Sequence, residues 1–592
     1  MSQSSRYTCY DRYMISQSLT KDVGKIRESL PNNARFLHRF NRSKPLKDRK
    51  PSHARSRFFA TLRAGFVSTL GIAYTLAPSP SSATSSTGEG GIDAQRLHAE
   101  PYNLLGRKIG IGQVEIGRPA QFGLDKDVPP YTQYAPDLAG VFMRDAPAQM
   151  ETNVDAHAHS VAGVMVSNHK EAVGVAPEAQ LYSAGAATEM GANRQAQECA
   201  TTQHVALQNS DDVRAINFSF GEPLWLDPRD NAVLDGNAHL TLCIDWSANQ
   251  HDVLYVIAGN QGNGGIPIPT DNFNGVNVAF SRAENGVFDR VDVSNLGSVF
   301  EGVRSRLVGL ETNIDGRRLV SLLAPGRNVD LLRPDGTVFQ STGTSFAAPH
   351  VAGVVALLQE YGDRQLSQNA PHWSLDSRRH QVMKAVLLNS ADKVQDSGNG
   401  LLQGMTRTIG DRQEGNWLTS DAHNNPEVPL HRGMGTGHLN AFRAYQQFSP
   451  GQWGPSDEIP AIGWDFDRVE TNNYRDYVID EPLQADSYVA ATLTWSRRVD
   501  LDDANGNGLY DQGETFSDRG LNNLDLYLMP ADSDDISDSI WSSTSPVDSV
   551  EHVFHAVPET GRYKLRVVYN RQVNDAEQDY ALAWWTVTNS EE

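Results

Sequence analysis

Between about residues 100 and 445, short runs of Val, Ile and Leu alternate with helix-like stretches, and this rhythm narrows the fold more than any other feature. The runs are KIGIGQVE, SVAGVMVSNHK, AQLYSAG, RAINFSFG, VLYVIAGN, VNVAFS and LVSLLAPG, many closing on Gly or Asn. Near-continuous apolar strands fit a mostly parallel sheet buried on both faces, with helices in the connections. The expectation is an α/β domain at 100–448, its central sheet mostly parallel and flanked by helices. A linker at 449–460 containing Pro450, Pro455 and Pro460 follows, and the apolar period then changes to two. The segments YVAATLTW (488–495), LDLYLM (524–529), YKLRVVY (563–569) and YALAWWTV (580–587) carry it. In the third, Tyr563, Leu565, Val567 and Tyr569 point one way and Lys564 and Arg566 the other. Half-buried antiparallel strands of this kind predict an all-β sandwich or jelly-roll module at 461–592.

A chain of 592 residues exceeds what one hydrophobic core supports, in line with two folded parts. Its charge is uneven. Residues 1–64 hold 15 Lys/Arg against 4 Asp/Glu, whereas the remainder holds 36 against 68. The strongly acidic remainder argues against binding nucleic acid or anionic membranes. The basic start leads into the apolar stretch Ala64 to Ala77 and then Ser81-Ser82-Ala83. That order reads as an export signal, so 1–83 is taken as a basic extension plus signal peptide, from Met1 or from a later start such as Met14. An apolar core this short falls below a membrane span, and the mature protein is expected to be secreted without one; an uncleaved anchor is the alternative. Residues 84–99, beginning with Ser, Thr, Gly and Glu, read as a flexible tether. Beyond the signal only Cys199 and Cys243 remain, and in an exported chain they either pair or stay as two buried thiols.

The strongest local signal is Gly343-Thr344-Ser345-Phe346-Ala347-Ala348-Pro349-His350-Val351-Ala352-Gly353. A serine in the first turn of a helix exposes its hydroxyl beside backbone amides that lack intrahelical partners, as a nucleophile that builds an oxyanion requires. Gly343 would let the chain turn, Thr344 is a good capping type, and the small residues permit close helix packing. This string closely resembles the nucleophile motif of the subtilisin-like serine peptidases, the subtilases. The resemblance covers roughly residues 100–445 and implies the order acid, base, Asn, Ser along the chain.

Other segments are similar to the family at the matching places. In Asp155-Ala156-His157-Ala158-His159-Ser160-Val161-Ala162-Gly163, anchoring on V-A-G assigns the general base to His157, with His159 as its rival. The family's D-[ST]-G is missing; Ile109 to Gly117 reads IGIGQVEIG, and keeping the acid two residues before glycine selects Glu115. Glu carries an extra methylene, so strand or helix must shift by roughly 1.5 Å. Gln113, Asp125, Asp127 and Asp155 are the alternatives in reach. The segment V-L-Y-V-I-A-G-N resembles the family's oxyanion strand and makes Asn260 the side-chain donor, with Ala258 and Gly259 lining the substrate. Ile216 to Gly221 is similar to the family's I-N-x-S-L-G, so Ser219, Phe220 and Gly221 would pair with an extended polypeptide. The implied activity is hydrolysis of peptide bonds through an acyl-enzyme on Ser345, with no cofactor for catalysis. A degenerate, exported binding or adhesion protein on the same scaffold is the alternative, prompted by the altered acid and the HAHS sequence.

A second pattern lies at Asp503 to Glu514. Asp503, Asn505, Asn507, Leu509, Asp511 and Glu514 hold positions 1, 3, 5, 7, 9 and 12 of an EF-hand-type loop, with Gly508 at position 6. A structural Ca²⁺ is therefore expected in the C-terminal module.

Overall fold

Glycine and small residues at strand ends, and β-branched residues within the strands, build a central sheet whose two faces are both covered. In the computed structural model, residues 85–589 are described except 127, 129–135, 137, 187–193, 262–266, 293–312, 412, 414 and 457. The expected signal at 1–83 lies outside them. The strands are β1 (Gly110–Glu115), β2 (Leu138–Met143), β3 (Gln180–Gly185), β4 (Val213–Phe218), β5 (Leu254–Ala258), β6 (Val276–Glu284), β7 (Val287–Val291) and β8 (Leu322–Pro325). Their order is β7-β6-β5-β4-β1-β3-β2, with the short strand Ala146–Pro147 beyond β2 and β8 beside β6. All the pairings are parallel except β7 with β6 and Ala146–Pro147 with β2.

Side chains alternate between two cores. Ile111, Leu181, Ala215, Leu254 and Val256 face the helices α1 (Ala156–Val166), α4 (Thr344–Ser367) and α5 (His380–Asn389). On the other face, Val114, Ile216, Tyr255 and Ile257 meet α2 (Arg194–Ala206) and α3 (His239–His251). Cys199 and Cys243 form a disulfide that staples α2 to α3, their Cα atoms 5.9 Å apart.

The C-terminal strands are β9 (Ile462–Glu470), β10 (Tyr474–Val478), β11 (Tyr488–Trp495), β12 (Arg498–Asp502), β13 (Thr515–Gly520), β14 (Asn523–Pro530), β15 (Trp541–Ser543), β16 (Val550–Ala556), β17 (Tyr563–Arg571) and β18 (Glu577–Trp585). They make two antiparallel sheets, β9-β18-β11-β16 and β10-β17-β14-β15, with β12 and β13 as a separate hairpin. Leu493, Leu526, Leu565, Val567, Leu582 and Trp584 fill the space between the sheets.

Two expectations are corrected here. The first sheet is buried on both faces rather than one, because Ala581 and Ala583 join the core built around α4 and α5. Small residues at those positions let helices approach the sheet. Residues 85–99 are packed rather than a tether: Thr87, Ile92, Asp93 and Ala94 are buried, and Gln95–His98 forms one helical turn. Ser86 Oγ lies 2.9 Å from His350 Nε2, and the Arg407 guanidinium donates to the carbonyls of Glu89 and Gly91. A polar segment looks unstructured in sequence when its partners lie more than 250 residues away.

The sandwich and the α/β layers are also joined by charge. Arg497 is buried between them, its Nη2 2.6 Å from Asp245 Oδ2 and its guanidinium stacked 4.4 Å from the centroid of Phe273. The pair sits in a low-dielectric site, and breaking it leaves Asp245 without its cation. Arg497→Ala should lower the unfolding free energy by about 3–5 kcal/mol, and Arg497→Lys should recover only part of it, read by denaturant melts of the purified chain.

Candidate active site

Glu115 ends β1, His157 stands in the first turn of α1, and Ser345 in the first turn of α4, so three separate chain segments meet at the carboxyl edge of the sheet. In open parallel sheets this edge is where crevices form. Asp155 caps α1 by accepting the Ala158 amide at 2.9 Å, which fixes the turn that carries the imidazole.

Glu115 is 2% exposed, and its Oε2 lies 3.3 Å from His157 Nδ1, whose side chain keeps 40% exposure and therefore remains reachable from solvent. Glu115 Oε1 has no hydrogen-bond partner among the described residues. An unmatched buried oxygen of this kind costs about 1–3 kcal/mol. Burial alone would pull the His157 imidazole below its ordinary 6.5, but the Glu115 charge and hydrogen bond, helped by Asp155, hold it above that value. The ring centroid of His157 is 5.6 Å from that of Phe346, the residue after Ser345.

Of the alternative acids, Asp125 is engaged by Arg118 through two 2.7 Å bonds, Asp155 is the helix cap, and Asp127 lies outside the described residues. Gln113 donates its amide to the Ala158 carbonyl at 2.8 Å instead of meeting the imidazole. His159 is fully buried, and burial brings its imidazole down to about 4, which keeps it neutral and away from solvent.

Ser345 is half-buried. Its hydroxyl donates to the Ser219 carbonyl at 3.2 Å rather than to the imidazole. Pro349, four residues on, has no N–H to give the Ser345 carbonyl. The Ser219 hydroxyl takes that place at 2.9 Å and itself accepts from Asn217 Nδ2 at 2.9 Å. Ser219, Phe220 and Gly221 follow β4 directly, and the Phe220 ring stacks on Phe218.

The N-terminus of α4 differs from its expected form. Gly343 is extended, a backbone any residue adopts, and a Cβ there would stand 3.2 Å from the Gln261 amide. Close approach, not turning, is what glycine permits here. Thr344 does not cap the helix; its amide and hydroxyl both donate to Gln261 Oε1, at 2.6 and 3.1 Å. The Phe346 amide bonds to the Gly343 carbonyl, which leaves the Ser345 amide without an acceptor among the described residues. Asn260 is buried beside Gln261, after Ala258 ends β5 and the Gly259 amide bonds to Val278. Sequence reading overlooked Gln261, although it directly follows A-G-N, and Asn217, although it sits inside I-N-F-S.

In the C-terminal loop, Gly508 has a positive φ of 76°, and Asp503 accepts the amides of Asn505, Gly506 and Gly508. Asn505 and Asn507 donate to Asp511 Oδ2 at 2.6 and 2.9 Å, while Glu514 accepts the Ala504 and Asp511 amides. The Leu509 amide donates to Asn507. The donors are oxygen-rich and exposed, but among the described residues no group of three or more His, Cys, Asp or Glu side chains is arranged to hold a metal ion. Tyr510, at position 8, plugs into the α/β layers, with its backbone bound by Gln203 of α2 and its hydroxyl 3.0 Å from His239 of α3.

A carboxylate-held imidazole beside a helix-initial serine, on a parallel sheet, is the arrangement of a serine hydrolase. Residues 132–406, a little under half of the chain, match the model of the subtilase family. The match includes His157, Asn260 and Ser345 but begins after Glu115. Subtilisin Savinase of Lederbergia lenta is 28% identical over 271 residues, 45% of this chain and 82% of that protein. An alkaline protease of Alkalihalobacillus alcalophilus is 28% identical over 271 residues, 45% of this chain and 58% of that protein. Thermitase of Thermoactinomyces vulgaris is 24% identical over 270 residues, 44% of this chain and 78% of that protein. A solved cold adapted subtilisin-like serine proteinase covers 52% of this chain and 89% of its own at 20% identity, with a TM-score of 0.33. No helix among the described residues is long and apolar enough to cross a membrane.

The raised imidazole has a sign that can be checked. A protonated His157 cannot take the serine proton, so the rate at which Ser345 reacts with a fluorophosphonate should climb with pH to a midpoint above 6.5. Glu115→Gln removes the charge that favours the imidazolium and should move the midpoint down. For stability the same shift favours the folded state below 6.5, a contribution lost as pH rises through the raised value.

Proposed function

We propose that the chain is a secreted serine endopeptidase that cleaves extended polypeptides through an acyl-enzyme on Ser345. The observation that carries this reading is the Glu115–His157 pair placed against the turn that holds Ser345 and its acceptor-free amide. A rotation about the Ser345 Cα–Cβ bond releases the hydroxyl from the Ser219 carbonyl toward the imidazole. His157 Nε2 then takes its proton as Oγ attacks the scissile carbonyl, and Glu115 at Nδ1 holds the tautomer and steadies the imidazolium. The Ser345 amide and the Asn260 side chain supply donors to the oxyanion. His157 returns the proton to the leaving amine, and water repeats the sequence to free the acid. Ser219 to Gly221 offer backbone for the substrate to add as a strand, which favours broad sequence tolerance. The Cys199–Cys243 disulfide supports an oxidising, extracytoplasmic location.

The hydroxyl's bond to Ser219 favours the second reading, a binding protein with an idle triad. One experiment separates them. A fluorophosphonate should label one serine, Ser345, and the chain should hydrolyse denatured protein; His157→Ala should lower both rates by about 10²–10⁴-fold. Absence of labelling in the unmodified chain would establish the binding protein.

We also propose that the 503–514 loop binds Ca²⁺ in a structural role, supported by the ligand spacing and by the positive φ of Gly508 at position 6. Calcium at 100 times its dissociation constant should raise stability by about 2.7 kcal/mol. Glu514→Gln should abolish that gain in thermal melts with and without chelator, while leaving Ser345 labelling in place.

A further inference from the structure

We infer that Gln113 is a positioning residue for the base: its side-chain amide holds the helix carrying His157 at the stand-off that a glutamate acid requires. The inference rests on the triad reading above and extends it to a residue outside the reacting set.

The face of the sheet that meets α1 and α4 changes character toward its carboxyl edge. One level below the site it is apolar, with Leu181 of β3 beside Ile111 of β1 and Ala215 of β4 on the same face. At the next level it is polar: Gln113 lies in register with Ser183 on one side and Asn217 on the other. Glu115 stands one level higher. All three residues of the polar row are buried. The two amides of this row work in parallel. Asn217 reaches the nucleophile turn through Ser219 and the Ser345 carbonyl, and Gln113 reaches the base turn through the Ala158 carbonyl, one residue past His157. Together they tie both helices to neighbouring strands at one register position, which fixes the spacing of base and nucleophile.

Side-chain length is the second part of the argument. Gln113 and Glu115 share a face and span the same gap to the same helical turn, and each is one methylene longer than Asn or Asp. With a glutamate acid the turn must stand farther from β1, and Gln113 matches that distance. Packing does not explain the amide. Gln113 Oε1 has no partner among the described residues, so Met or Leu would fill the volume without leaving an oxygen unmatched. Only the bond from Nε2 to Ala158 sets glutamine apart from them.

The test uses the whole chain, with Gln113→Met, Glu115→Asp and the double variant Gln113→Asn/Glu115→Asp. Gln113→Met should lower kcat about 10-fold or more with KM unchanged. The His157 midpoint, followed by NMR of the imidazole Cε1–H, should move down toward 6.5 as contact with Glu115 loosens. Glu115→Asp alone should lose about 100-fold in kcat, and shortening residue 113 together with it should restore at least a tenth of the unmodified rate. An unmoved His157 midpoint in Gln113→Met, even with a lower melting temperature, would reduce the residue to a packing role and overturn the inference. So would additive losses in the double variant. Because the NMR readout needs no turnover, an unmodified chain that fails to label at Ser345 would refute the peptidase reading without deciding this one.

Discussion

A carbonyl left open inside a helix governs the geometry of the site. Pro349 cannot donate to Ser345, and in a buried first turn that oxygen needs a partner from elsewhere. The Ser219 hydroxyl supplies it and is oriented by Asn217 on β4, so the turn that carries Ser345 is bonded to the end of that strand. On the other side Gln261, from the end of β5, holds the Thr344 amide and hydroxyl. The serine is thus suspended between two strand ends, and its own amide has no acceptor among the described residues.

The acid side is built with the same logic and more tension. Glu115 is buried with one oxygen bound to His157 and the other unmatched, a state that costs stability unless it serves the imidazole. Burial is the largest single influence on the imidazole, but the Glu115 charge and hydrogen bond together with Asp155 outweigh it and raise the imidazole, which ties reactivity to pH. The sandwich contributes through structure. One of its sheets shares the core of α4 and α5, Arg497 reaches into the α/β layers to Asp245, and Tyr510 inserts between α2 and α3, whose disulfide stiffens that docking surface. Such a module is a wall of the molecule as much as an appendage.

The parallel sheet was legible because Val, Ile and Leu runs buried on both faces have few other solutions, and the sandwich was legible from period-two segments such as YKLRVVY. Ser345, His157 and Asn260 could be located by local pattern, and Glu115 by its spacing from Gly117. Other readings failed for one reason, the distance of the partner. Residues 85–99 looked like a tether because the groups that bind them, His350 and Arg407, lie far along the chain. Gly343 looked like a turn residue, whereas its backbone is extended and a Cβ there would crowd the Gln261 side chain. The segment 580–587 read as a half-buried strand, yet its Ala581 and Ala583 are where helices settle on the sheet.

Local chemistry written in the chain determined which elements form and which side chains could react: strand periodicity, a helix-initial serine, a histidine in a capped turn, a loop of oxygen ligands at alternating positions. Tertiary structure decided the pairings: that Glu115 rather than Asp125 or Asp155 meets the imidazole, that the Gln113 amide bonds to the helix carrying His157, that the two cysteines bond, and that the sandwich packs against the α/β layers. The division has a physical cause. Secondary structure follows interactions over a few residues, whereas hydrogen bonds and charge pairs between distant segments depend on separations of a few ångströms that only the packed cores fix.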